Sequence, residues 1–99
     1  MVIVIGTATA RPERLDELLA LSLAHVHRSR TEPGCLEHAV HQDAEDPRRL
    51  VFVERWSDRA ALHAHFAVRE SGAFVRTAAA MCAEPPSIRV FEAEEVALG

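Results

Sequence analysis

Ninety-nine residues, 48% hydrophobic and 26% charged, describe a globular chain and exclude a disordered or low-complexity one. The net charge of −4, with the arginines scattered among acids and no basic run, argues against nucleic acid as a partner. No apolar run approaches the roughly 20 residues of a membrane span, and no basic-then-apolar leader opens the chain.

A cytoplasmic protein is therefore expected, with Cys35 and Cys82 as free, reduced thiols in neither a CxxC nor a zinc pattern. A chain this short buries roughly 60–70% of its unfolded surface. Its apolar content exceeds what so small a core needs, so a second buried surface is expected, most simply that of a homodimer.

Val2 to Ala10 is apolar and β-branched and reads as a strand, ended by Arg11-Pro12. Pro12 suits the first turn of a helix, and Leu15, Leu18, Leu19, Leu23 and Val26 recur at helical spacing. Residues 12–30 thus read as one amphipathic helix, stopped by Glu32-Pro33-Gly34. Cys35 to Gln42 and Arg49 to Trp56 read as a hairpin around the turn Asp43-Ala44-Glu45-Asp46-Pro47. Ser57 or Asp58 caps a helix through Phe66, Arg69-Glu70-Ser71-Gly72 interrupts it, and Phe74 to Cys82 resumes a helical face. After Glu84-Pro85-Pro86, Ile88 to Ala93 supplies a last strand.

The order β-α-β-β-α-β predicts an α+β, ferredoxin-like fold: an antiparallel sheet with its helices on one face. Without repeats or a linker, residues 1–99 read as one domain. The bare sheet face would be covered by a second copy stacked face to face.

Several chemistries lack their motifs. There is no GxGxxG, P-loop or GxSxG, so dinucleotide, NTP and nucleophile-elbow enzymes are not indicated. Of six histidines, His25/His27 and His63/His65 are i, i+2 pairs on helices, whose side chains diverge, while His38 and His41 point to opposite faces of a strand. No metal site is predicted from this spacing.

His65 is the candidate for chemistry. It shares the i, i+3, i+4 face of Leu62 and Phe66, and an imidazole there can take and return a proton near neutral pH. The alternative is a core histidine bonded to a backbone carbonyl. His38, on one face with Leu36 and Val40, would line the same cavity or sit at the dimer interface. Trp56 ends its strand where its indole N–H could hold a substrate oxygen, unless it is core packing. Phe66 and Phe74 are core residues and pocket walls. Glu54 is read as a surface or interface salt bridge, and His25, His27, His41 and His63 as solvent or rim residues.

Glu32-Pro33-Gly34-Cys35-Leu36, His41-Gln42-Asp43, Asp46-Pro47, Val51-Phe52-Val53-Glu54-Arg55-Trp56 and Ala61-Leu62-x-Ala64-His65-Phe66, in this order, resemble the antibiotic biosynthesis monooxygenase domain. The resemblance implies a dimeric α+β barrel and a pocket between helices and sheet. It also implies oxidation of a hydroquinone- or anthrone-like aromatic by O₂ without a cofactor. His65 would then be the base or hydrogen-bond partner, with Trp56 and His38 positioning the substrate. The chain departs from the pattern in having no tyrosine, one being common where His38 stands. It also has no asparagine, which the similar haem-degrading branch uses on its first strand. An isomerase or cyclase using the same pocket for proton transfer, and a non-catalytic small-molecule-binding dimer, are the competing readings.

Overall fold

Every second side chain of the first strand, β1 (Val2–Thr9), is buried, so Val2, Val4 and Ala8 define the inward face of the sheet. In the computed structural model, which describes residues 1–99, β1 pairs with β3 (Arg49–Trp56) on one side and β4 (Ser87–Glu92) on the other. The strand β2 (Cys35–Gln42) completes an open antiparallel sheet in the order β2-β3-β1-β4. Inward residues of β3 are Leu50, Phe52, Glu54 and Trp56.

Helices α1 (Leu15–Ser29), α2 (Arg59–Ala67) and α3 (Arg69–Met81) provide the covering layer. Leu18, Val26, Ala78 and Met81 pack with Ala8, Leu50 and Phe52 in one apolar cluster; Val2, Val4, Trp56 and Leu62 form a second. The core is therefore split, and buried polar side chains lie among its parts: Ser22, His25, Ser29, His38, Glu54, His65 and Ser71.

The predicted α+β order is observed, with differences at the joints. The first helix opens as a 3₁₀ turn at Pro12–Arg14, and the α-helix proper begins at Leu15. Asp58, not Ser57, caps α2 through a bond from the Ala61 N–H at 2.8 Å. The interruption predicted at 69–72 is confined to Val68, whose extended backbone (ψ 129°) separates α2 from α3; Arg69 to Gly72 are already helical. Ala10 leaves β1 to make an isolated bridge with Cys82, and β4 begins at Ser87 and ends at Glu92. A register shift between Cys35 and Glu37 takes Leu36 off the face of His38, leaving it half-exposed.

One turn joins fold and site. The Cys35 N–H donates to the Glu32 carbonyl across Pro33-Gly34, and Gly34 has φ +82°, as the third position of a type II turn requires. A Cβ there would lie 2.5 Å from Ala61 Cβ and 2.7 Å from Ser57 Oγ, so strain and overlap act together. Gly34→Ala is expected to cost about 2 kcal/mol or more in urea unfolding. A change under about 0.5 kcal/mol would show that the turn tolerates a side chain.

Candidate active site

The buried stripe of α1 is Leu18, Ser22, His25, Val26 and Ser29, which turns the His25 imidazole into the core. His38 enters from β2 and His65 from α2, both buried. The three ring centroids lie 5.2 Å (His25–His38), 5.4 Å (His25–His65) and 5.6 Å (His38–His65) apart. One ring nitrogen from each lies within 4.8 Å of those of the other two.

Each imidazole has a charged neighbour, and the neighbours differ. Glu32 Oε1 lies 2.8 Å from His65 Nδ1. A carboxylate only accepts, so Nδ1 carries a proton and the Nε2 lone pair of neutral His65 is free. At His25 the relation is reversed. The Arg28 guanidinium, which only donates, lies 2.6 Å from Nδ1 through Nη2, so that nitrogen accepts and the ring proton of neutral His25 resides on Nε2. Burial first, then the charges of His38, Arg28 and His65, lower the pKa of His25 to about 3. Phe74 stacks on this ring at 4.0 Å, nearly parallel.

Glu54 anchors the third imidazole. Its Oε1 accepts from Trp56 Nε1 at 2.9 Å and lies 3.3 Å from His38 Nε2. Burial pushes the Glu54 carboxyl up, but the close approach of His38, with the indole hydrogen bond, outweighs it and holds the group below the usual range. The approach of His38 is that of an ion pair without hydrogen-bond direction, and both its ring nitrogens lack hydrogen-bond partners.

A cavity of about 230 Å³ opens beside this cluster. His25, Glu54 and His65 supply polar wall, while Phe52, Phe66, Phe74, Val75 and Ile88 contribute apolar wall. The volume suits a small molecule rather than a drug-sized one.

Of the residues singled out from the sequence, His65, Phe66 and Phe74 reach this wall. His38 and Trp56 stand behind it, and the indole N–H of Trp56 is committed to Glu54. Two expectations are overturned. His25 is not at the rim but 6% exposed on the inner stripe of α1, and Glu54 is not a surface ion pair but 5% exposed beneath the helices. His27, His41 and His63 are exposed, as predicted. Glu32, which orients His65, carried no periodic signal because it sits in a turn. The spacing of His25 to Leu18 and Val26, and the alternation of Glu54 with Phe52 and Trp56, were available signals.

The family model described as antibiotic biosynthesis monooxygenase matches residues 1–77. The uncharacterized protein sll1783 of Synechocystis is 31% identical over 95% of this chain, which spans 64% of that protein's length. A crystal structure described as an antibiotic biosynthesis monooxygenase superposes with TM-score 0.88 at 33% identity, covering 96% of this chain and all of that one. PA3566 from Pseudomonas aeruginosa gives TM-score 0.84 at 31% identity, covering 95% and 94%.

The state of His25 has a measurable consequence. In the unfolded chain it takes a proton near pH 6.5, in the fold only near pH 3, so neutral burial increasingly destabilises the fold as pH falls below 6.5. Between pH 7 and pH 5 the wild type is expected to lose about 1–2 kcal/mol more unfolding free energy than a folded His25→Gln variant. Equal losses in the two proteins would show that His25 titrates normally.

Proposed function

The chain belongs to the antibiotic biosynthesis monooxygenase family, and on that premise we propose that it oxidises a small electron-rich aromatic, hydroquinone- or anthrone-like, with O₂. The carrying observation is the Glu32–His65 pair at 2.8 Å beside a mainly apolar cavity. Glu32 holds the Nδ1 proton, so His65 Nε2 is the basic atom that removes a proton from a phenol or an activated CH₂. Neutral His25 donates from Nε2 to the oxygen on which negative charge develops. Phe66 and Phe74 hold the ring plane and exclude water.

The resulting anion is itself the reductant. For an anthrone-like CH₂, O₂ adds to the carbon; one oxygen remains as the carbonyl and the other leaves as water with the two hydrogens of that carbon. No cofactor enters this scheme. Trp56 and His38 act indirectly in it, by holding Glu54 and packing behind His65, with Trp56 and His65 ring centroids 4.6 Å apart. The opposed donor and acceptor on His25 and His65 also favour a second reading, a cofactor-free isomerase or cyclase moving a proton within its substrate.

Residues 1–99 are read as one domain that works as a homodimer. Ile3, Ile5, Val51 and Val53 are only half-buried on the sheet face opposite the helices, and Phe91 is 41% exposed on the paired strand β4. Stacking two such faces would bury this stripe and complete the barrel.

Oxygen uptake against a panel of hydroquinones and anthrones, corrected for autoxidation, is expected to fall roughly 10²-fold in a folded His65→Ala variant and roughly 10-fold in Glu32→Gln. An unchanged rate in His65→Ala would remove the base from this scheme. Conversion that persists without O₂ would instead select the isomerase reading. Sedimentation equilibrium at micromolar concentration is expected to give twice the chain mass; a single-chain mass would overturn the dimer.

A further inference from the structure

We propose that His25, His38 and His65 form a binding site for one divalent transition-metal ion of the zinc and copper class. Three buried imidazoles from three separate elements place one nitrogen each within 4.8 Å of the others. Ligands held at roughly 2.0–2.1 Å around a tetrahedral ion stand about 3.3 Å apart, so modest ring rotations close the set. Imidazole is the ligand type that suits these ions.

Two further observations point to a ligand. Both ring nitrogens of His38 are buried without hydrogen-bond partners, and coordination would satisfy one of them. Two of the three rings also have a carboxylate beside them: Glu32 at 2.8 Å from His65 Nδ1 and Glu54 at 3.3 Å from His38 Nε2. Carboxylates so placed orient metal-binding histidines, raise their basicity and offset the ion's charge. His25 and His65 border the cavity, so a fourth position would face it and remain open to water or a substrate oxygen.

Arg28 opposes the ion. Its guanidinium donates to His25 Nδ1 and places positive charge beside the cluster. The side chain is 30% exposed and is shared with Ser71 Oγ at 3.2 Å, so it can turn toward solvent when the ion enters. This gives the site an affinity that depends on a residue outside the ligand set. On the oxygenase reading above, and only there, a bound ion would occupy the His65 lone pair and slow cofactor-free turnover.

The test is binding, independent of any activity. Equilibrium dialysis of the full chain with Zn²⁺, and titration with Co²⁺ followed by its visible absorption, are expected to show one ion per chain with the intense bands of a four-coordinate site. His38→Asn and His25→Gln, each checked for folding by circular dichroism, should weaken binding roughly 10²-fold, and Glu54→Gln roughly 10-fold. Arg28→Gln should tighten it several-fold, which a merely structural cluster would not show. The exposed-histidine variants His27→Ala and His63→Ala should bind as the wild type. No stoichiometric binding, or binding lost in the exposed-histidine variants but kept in His38→Asn and His25→Gln, would overturn the site. No oxygen uptake by the metal-free chain, with stoichiometric metal binding intact, would count against the oxygenase reading alone.

Discussion

The structure depends on keeping one buried carboxylate paired. Glu54 occupies an inward position of β3 between Phe52 and Trp56, where an uncompensated charge would be strongly destabilising. The indole N–H and the imidazole of His38 converge on the same oxygen, and a hydrogen bond to a charged acceptor is worth roughly 1.5–3 kcal/mol. Satisfying Glu54 commits Trp56 to the core rather than to a ligand. It also fixes His38 beside β3, so the third imidazole sits where α1 and α2 deliver the other two.

That arrangement explains the split core. A continuous apolar layer would have no room for seven buried polar side chains, and this chain accommodates them by small residues on α1 and α3. Ser22 and Ser29 flank His25 on the inner stripe of α1, while Ser71 in the first turn of α3 meets Arg28. The polar region gives up some of the apolar burial that a domain of this size can draw on, and the exposed sheet face gives up more. Both costs fall on the same small chain.

The architecture was legible because alternation and helical spacing speak directly about burial. β3 shows period two through Leu50, Phe52, Glu54 and Trp56, and α1 shows its stripe through Leu18 and Val26. Of the cavity wall, His65, Phe66 and Phe74 were legible in the sequence, residues whose apolar neighbours mark an inward face. Glu54 and His25 obeyed the same periodicities, but a charged or polar side chain is ordinarily assigned to solvent, and that preference overrode the pattern. Glu32 had no pattern to obey. Its position follows from Gly34, whose positive φ turns the chain so that a loop carboxylate meets a histidine 33 residues away.

The chemistry of the cluster follows from the partners rather than from the histidines themselves. Three identical side chains sit at similar spacings, yet Arg28 can only donate and Glu32 can only accept, so neutral His25 and His65 are set in opposite tautomers. Both rings line the same cavity. Both partners lie close together in the chain, Arg28 in the last turn of α1 and Glu32 in the turn that follows. A single helix end therefore sets the tautomers of both rings, through two largely buried charges whose nearest atoms, Arg28 Nε and Glu32 Oε2, lie 4.0 Å apart.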